Sequence, residues 1–346
     1  MIAASSMTGQ HGRDLPRQRW QQAMAEAIAD PAELCRILGL DPALIAHPAP
    51  NSGFPLRVPR GFVARMRHGD PHDPLLRQVL PIDAESVPAE GFFLDPVGDL
   101  ASRAGQGLLH KYDGRALLIA TGACAVHCRY CFRRHFPYHE QAALSGGWQD
   151  AIAHLQTDPS IREIILSGGD PLSLSDRRLR QLTDALRAIP HIRRLRIHTR
   201  QPVVLPERVD EGLLAWLAEL PLQKVMVIHT NHANEIDRHV ADACRELAAR
   251  NVTLLNQSVL LAGVNDDVDA LTGLSESLFA IGVLPYYLHL LDRVQGAAHF
   301  EVDEPTALRL HAGLLQRLPG YLVPRLVREV PGAPSKTPVT LAPGSC

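Results

Sequence analysis

The sequence predicts an α/β chain whose main body is a partial (β/α)6 barrel, preceded by a helical and irregular N-terminal arm. Three observations carry this expectation. Short apolar runs bounded by glycine or polar turns recur from Ala116 to Leu288. Helical hydrophobic spacing fills the stretches between them, the rhythm of parallel β/α units. Polar, chemistry-bearing residues follow directly after the runs, where barrel loops carry function.

Residues 1–15 read as a loose polar tail. From Arg17 to Ala29 the apolar positions Trp20, Met24 and Ile28 have helical spacing. Asp30 and Pro31 form an N-cap and first-turn pair for a second helix, whose buried stripe is Leu34, Ile37 and Leu38. Residues 44–100 are rich in Pro and Gly, with one short helix near 60–68, and are expected to wrap the catalytic body. The strands are expected at 116–120, 164–166, 195–198, 225–228, 253–256 and 284–288. Helices are expected near 147–157, 176–188, 209–219, 235–249 and 267–281. The organisation is then a tail (1–15), an arm (16–105), a barrel (106–300) and a C-terminal segment (301–346).

Composition excludes several classes. Lys plus Arg is 35 and Asp plus Glu 37, a balance unlike that of an electrostatic nucleic-acid binder. Apolar residues make up 46%, enough for a core, yet no run has the length of a membrane span or a secretion signal. The six cysteines form no disulfide framework, so a reduced cytoplasm is the expected setting.

Three of those cysteines, Cys124, Cys128 and Cys131, make a C-x3-C-x2-C triplet. Three thiols suit a zinc knuckle, but structural zinc usually takes four protein ligands, often as two pairs, and no second pair is near. A [4Fe–4S] cluster is held by Cys thiolates, and three of them leave one iron open to a small ligand. After the second strand comes Ser167-Gly168-Gly169-Asp170-Pro171. This is either a simple turn or a backbone approach to a ligand, with the Asp170 carboxylate as acceptor. Arg200 follows the third strand, His229 the fourth, Gln257 lies at the end of the fifth, and His289 and Asp292 follow the sixth. Lys336 lies in a Pro/Gly loop, as a solvated lysine or as an amine for a Schiff base with pyridoxal phosphate (PLP).

The triplet is the pattern of the radical S-adenosylmethionine (radical-SAM) superfamily, and the chain resembles its lysine 2,3-aminomutase family. The resemblance rests on Asp73-Pro74, Gln78-Val79-Leu80-Pro81 and Cys128-Arg129-Tyr130-Cys131-Phe132-Arg133-Arg134. It continues in Ser167-Gly168-Gly169-Asp170, Pro202-Val203-Val204-Leu205-Pro206, Asn256–Asn265 and Lys336-Thr337-Pro338. It implies a TIM-like radical-SAM partial barrel with a [4Fe–4S] cluster on the triplet, SAM and PLP. By position, Gly168, Gly169 and Asp170 look like the methionine-end site. Lys336 looks like the PLP lysine, and Lys111 and Tyr112 fall where the family binds its phosphate. Arg200, His229 and Gln257 join them as cofactor-binding residues. Arg133 looks like the arginine on the substrate carboxylate, and Asp292 and Glu329 like the acids gripping the distal amine of L-lysine.

The departures narrow the resemblance. Lys111 stands for an arginine, Glu329 for an aspartate, and Asp267 for a zinc-ligating cysteine. With Arg328-Glu329 before the loop, the chain is similar to the branch that makes (R)-β-lysine for a ligase modifying elongation factor P. A flavodoxin- or ferredoxin-type donor is the implied source of electrons. Alternatives are a catabolic enzyme giving (S)-β-lysine, an aminomutase for another amino acid, or a cluster-bearing scaffold without catalysis.

Overall fold

The computed structural model describes residues 20–44, 54–138 and 148–340. The expected tail, the start of the first helix and Cys346 lie outside them. One sheet of ten strands runs in chain order. Its strands are β1 (Arg103–Gly105), β2 (Leu108–Tyr112), β3 (Arg115–Thr121), β4 (Glu163–Gly168), β5 (Arg194–Thr199), β6 (Gln223–Ile228), β7 (Val252–Val259), β8 (Leu284–His289), β9 (Arg325–Arg328) and β10 (Thr337–Pro338). From β3 to β9 all neighbours are parallel. At one end β1, β2 and β3 pair antiparallel, and at the other β9 and β10 do.

Each expected strand and barrel helix has its counterpart, with ends displaced by one to three residues. Four of these helices begin on acidic or Ser caps, Ser175, Asp210, Asp237 and Asp267, each accepting from a backbone N–H in the first turn; helix Gln149–Thr157 starts on Trp148 without one. Asp30 caps helix Pro31–Leu38, as its sequence signal implies.

The fold class needs correction. There are seven parallel strands rather than six, and the sheet is open, so the barrel expectation holds at the level of an α/β parallel sheet. The added strand β9 follows helix Glu304–Arg317, which Asp303 caps and Pro305 opens. Those start signals stand in the sequence. The short helix near 60–68 is confined to Arg60–Val63. The edge strands β1, β2 and β10 are short, mixed in polarity and carry no period-2 signal.

The largest apolar cluster joins the sheet to the helices covering it, with Leu118, Leu166, Leu182, Leu195, Trp216 and Met226 among its members. A second cluster belongs to the arm: Trp20, Leu34, Phe62, Leu75 and Val79 pack with Ala125 and Val126 of the loop after β3. The arm thus has a core of its own and applies it to that loop.

The end of β4 presses on the same loop. Gly169 N donates to Thr121 O at 2.7 Å and Asp170 N to Ala123 O at 2.8 Å. A Cβ on Gly169 would stand 2.5 Å from Ala123 O, and one on Gly168, at φ +117°, 2.6 Å from Thr121 O. Both contacts are to backbone, which cannot swing aside. Gly169→Ala should therefore cost roughly 1–3 kcal/mol, seen as a lower urea midpoint. Gly273→Ala is the control, because nothing lies within 4 Å of its Cβ. Equal midpoints for the two variants would remove the packing argument.

Candidate active site

A cavity of about 470 Å³ opens at the C-terminal ends of the parallel strands, and every site residue expected from the sequence lines it. It has a thiol end and an amine end.

The thiol end is the loop after β3. Its backbone is held from the arm: His127 N donates to Arg57 O and Arg129 N to Gln78 O, both at 2.9 Å. The Arg129 guanidinium reaches Glu85 at 2.8 Å and Phe54 O at 3.0 Å, and Arg134 reaches Glu85 at 2.7 Å. Burial pushes the Glu85 carboxyl up, but the two guanidiniums hold it below the usual carboxylate range. The arm therefore contributes directly to the position of the loop.

Cys124, Cys128 and Cys131 are free thiols that keep some surface toward the cavity while protein surrounds them. Burial pushes Cys124 well above its ordinary value, with Asp170 adding to the rise. Burial and then Cys128 push Cys131 up to about 11. The three sulfurs do not lie as a set within 4.8 Å of one another, the spacing of ligands to one ion. Thiols crowded, buried and wider apart than a mononuclear site fit a larger cationic centre.

Arg200 organises this end. Its Nη1 donates to Cys128 Sγ at 2.7 Å, and its Nη2 reaches Gln78 at 2.6 Å and Glu235 at 2.9 Å. Asn231 Nδ2 donates to Gln78 and to the Tyr130 hydroxyl, closing the network. Asp170 is placed in the wall but is largely occupied. It accepts from Thr199 Oγ1 at 2.7 and 2.9 Å, Arg200 N at 2.8 Å, Leu172 N at 3.0 Å and Gln201 N at 3.2 Å. Its carboxylate ties strand ends together. The Gly168 carbonyl accepts from the Tyr138 hydroxyl at 2.7 Å.

The amine end is built by the hairpin joining β9 to β10. Thr337 pairs with Arg328, so the flanking residues Lys336 and Glu329 face each other. Lys336 Nζ donates to Glu329 at 2.9 Å, and the Tyr112 hydroxyl donates to the other oxygen of Glu329. Burial pushes Glu329 up, but Lys336, Tyr112 and Lys111 hold it below the usual range. Lys111 Nζ donates to Asp99 at 2.7 Å and to Val97 O at 2.7 Å. The Arg133 guanidinium gives Nε to Asp99 at 2.7 Å and Nη1 to Ser167 at 2.9 Å. Two of its five N–H groups are spent inside the protein, and Nη2 remains.

Asp292 differs from these groups. Among the described residues no hydrogen bond or ion pair reaches its carboxylate. Burial pushes it up to about 7, Glu329 adds to the rise, and Lys336 opposes it. Polar atoms without partners line the same cavity: Nε2 of His198, His229 and His289, and Oε1 of Gln257. Burial keeps all three imidazoles neutral, His229 at about 3. Arg115 lines the same wall over the Tyr112 ring, with 4.6 Å from its guanidinium carbon to the centroid. This end suits a polar ligand carrying acceptors and a cation.

Sequence reading missed Gln78, Glu85, Asp99, Arg115, His198 and Glu235. Arg115 and His198 sit on strands already recognised, at cavity-facing positions. Gln78 stands in a motif already quoted, without a role; Glu85, Asp99 and Glu235 are lone acids whose partners lie far along the chain, with no local signal.

Comparison with known proteins follows the geometry. A 4Fe-4S single cluster domain matches residues 105–196. The L-lysine 2,3-aminomutase of Escherichia coli K12 is 50% identical over 327 residues, 94% of this chain and 95% of that protein. The Haemophilus influenzae protein of the same name is 49% identical over 321 residues, 92% and 95% of the two chains. That of Clostridium subterminale is 38% identical over 280 residues, 80% of this chain and 67% of its own.

Asp292 sets a pH dependence. A cation binds the carboxylate, which forms as the pH rises through about 7. An amine ligand that stays protonated should therefore bind more tightly from pH 6 to pH 8. Asp292→Asn should flatten that profile and weaken binding; an unchanged slope in isothermal titration would dismiss the assignment.

Proposed function

Because the chain belongs to the L-lysine 2,3-aminomutase family, we propose that it moves the α-amino group of L-lysine to C3 as a radical-SAM, PLP-dependent isomerase. One observation carries the reading: a thiol triplet, a lysine amine and an unpaired carboxylate line one cavity. The open sheet is read as the partial barrel of that class, because residues on or just after the strands from β2 to β9 converge on this cavity. The domain limits at 15, 105 and 300 belong to the same reading, as does a cytoplasmic setting. Among the described residues no helix is long and apolar enough to cross a membrane.

Cys124, Cys128 and Cys131 would hold the cluster, and the backbone at Gly168 and Gly169 would border SAM. Lys336 would hold PLP, with Lys111, Tyr112 and Arg115 as the groups for its phosphate. When bound, these groups supply a hydrogen-abstracting radical and an electron sink that lets nitrogen migrate between carbons.

The chain's own residues do the positioning. Asp292 offers its charge to the distal ammonium, and the neutral imidazoles of the cavity add no repulsion to that cation. Glu329 holds Lys336 Nζ at 2.9 Å, keeping the amine inside the cavity. Arg133 offers its remaining Nη2 to the substrate carboxylate, fixed in direction by Asp99 and Ser167. Fixing both ends of lysine sets C3 at a defined place, which is the larger part of what a protein contributes to such chemistry.

The finer assignment, (R)-β-lysine for elongation factor P modification, is supported by two local departures. Glu329 is longer than the aspartate of the clostridial form and belongs to the Lys336 cluster. Asp267 replaces a zinc cysteine and works as a helix cap, accepting from Ala270 N at 2.9 Å. A ligase would then take the product, and a flavodoxin- or ferredoxin-type protein would reduce the cluster.

Anaerobic enzyme with SAM, a reductant and labelled L-lysine should give β-lysine of the (R) form on chiral separation. The (S) form would move it to the catabolic branch, and no β-lysine would end the proposal. Lys336→Ala should lose PLP absorbance and turnover while its iron content stays at the wild-type level. Retained turnover would show that Lys336 is not the PLP residue.

A further inference from the structure

We propose that His110, His154 and Asp158 form a second metal site, a zinc-type staple outside the catalytic cavity. Each residue offers one ligand atom, and these atoms lie within 4.8 Å of one another. No other group of His, Cys, Asp or Glu among the described residues meets that spacing.

The topology brings the three together from two elements. His110 lies on β2 between Leu109 and Lys111, both of which line the cavity. His110 itself is not among the residues that line the cavity. His154 stands in the last turn of helix Gln149–Thr157 and Asp158 is its C-cap, in extended backbone; their ligand atoms lie within 4.8 Å of that of His110.

The donor set is arranged as a ligand set would be. Asp158 Oδ1 accepts from Ser160 N at 3.0 Å and Ser160 Oγ at 2.6 Å. Its other oxygen, Oδ2, faces His110 Nδ1 at 4.0 Å. A neighbour that orients one carboxylate oxygen and leaves the other for the ion is a regular feature of metal sites. His154 adds an independent observation: its Nε2 is shielded from solvent and has no hydrogen-bond partner among the described residues. A shielded, unsatisfied imidazole nitrogen is costly unless something binds it.

Distance separates this reading from a plain ion pair. At 4.0 Å, His110 and Asp158 are too far apart for a hydrogen bond. Two ligands each about 2.0–2.2 Å from one tetrahedral ion stand about 3.3–3.6 Å apart, so this pair must close by about half an ångström to share one. Side-chain movement of about an ångström would close the rest of the set. All three residues are half-buried, which leaves room for water to complete the coordination. Two imidazoles and a carboxylate suit Zn²⁺ or a similar divalent ion and are poor ligands for Ca²⁺. An ion there would fasten the helix end to β2, the strand that carries Lys111 and Tyr112.

The test uses cluster-loaded enzyme, in which the three cavity thiols are occupied, passed over chelating resin and dialysed against Zn²⁺. Bound zinc is counted by mass spectrometry. Wild-type protein should take up zinc at a single saturable site. His154→Ala and Asp158→Asn should each weaken it at least about 10-fold, and the His110→Ala/His154→Ala double variant should lose it. His239→Ala, an exposed histidine elsewhere, should change nothing. Zinc should also raise the melting temperature of wild type and not of the double variant. Unchanged iron content and circular dichroism certify that each variant is folded, and Asp158→Asn decides the matter should the double variant fail that check. No saturable uptake by wild type, or equal uptake by wild type and Asp158→Asn, would overturn the site.

Discussion

The Asp170 carboxylate is the knot on which the site depends. It accepts from Thr199 and from the backbone of Leu172, Arg200 and Gln201, while its own N–H binds Ala123 O. One residue thereby joins the end of β4, the end of β5 and the cysteine loop. Burial pushes its carboxyl up, and the hydrogen bonds from Thr199, Arg200, Leu172 and Gln201 oppose that rise. Removing such an acceptor would leave several buried donors without a partner, a larger loss than any one of the bonds. The two glycines before it have the same purpose: they let β4 come close enough for the knot to close.

Around this knot, buried charges are compensated locally and in sets. Glu85 serves Arg129 and Arg134, Asp99 serves Arg133 and Lys111, and Glu235 serves Arg200. Glu85 comes from the arm and Asp99 from just before β1, while their partners belong to the body. The arm is thus more than a cover, since its acid fixes two arginines of the cysteine loop. Buried pairs of this kind contribute little net stability against an apolar replacement. What they give is a fixed geometry for groups that must face a ligand.

How much of this was legible in the sequence depended on whether the signal was local. The parallel strands were readable because their apolar runs alternate with helical spacing, as in Ile164-Ile165-Leu166 followed by helix Asp176–Arg187. The thiol triplet and Lys336 were readable because motif and position sit together in a few residues. Strand β9 was missed although Asp303 and Pro305 announce the helix before it. Glu85, Asp99 and Glu235 were not readable, because a lone acid becomes informative only beside a partner that folding delivers from far along the chain. Asp170 was picked as a ligand residue and sits in the cavity wall, but its oxygens are taken up by loops that no local pattern connects to it.

The uneven distribution of compensation is itself informative. Across most of the interior, buried polar atoms find partners, as their desolvation demands. Exceptions such as Trp148 Nε1 and Thr272 Oγ1 are scattered, but several share the cavity: Asp292 has no partner among the described residues, and three imidazole nitrogens and the Gln257 carbonyl oxygen are left over. A chain selected only for stability would have paired these groups or replaced them by apolar ones. A ligand of matching polarity would satisfy these groups, so they outline it. It has a positive end for Asp292 and hydrogen-bonding edges for the neutral imidazoles. It also has an electrophile that Lys336 can reach once released from Glu329. A lysine substrate supplies the first of these features and a pyridine aldehyde cofactor the other two, which is why the two are proposed to share this one compartment.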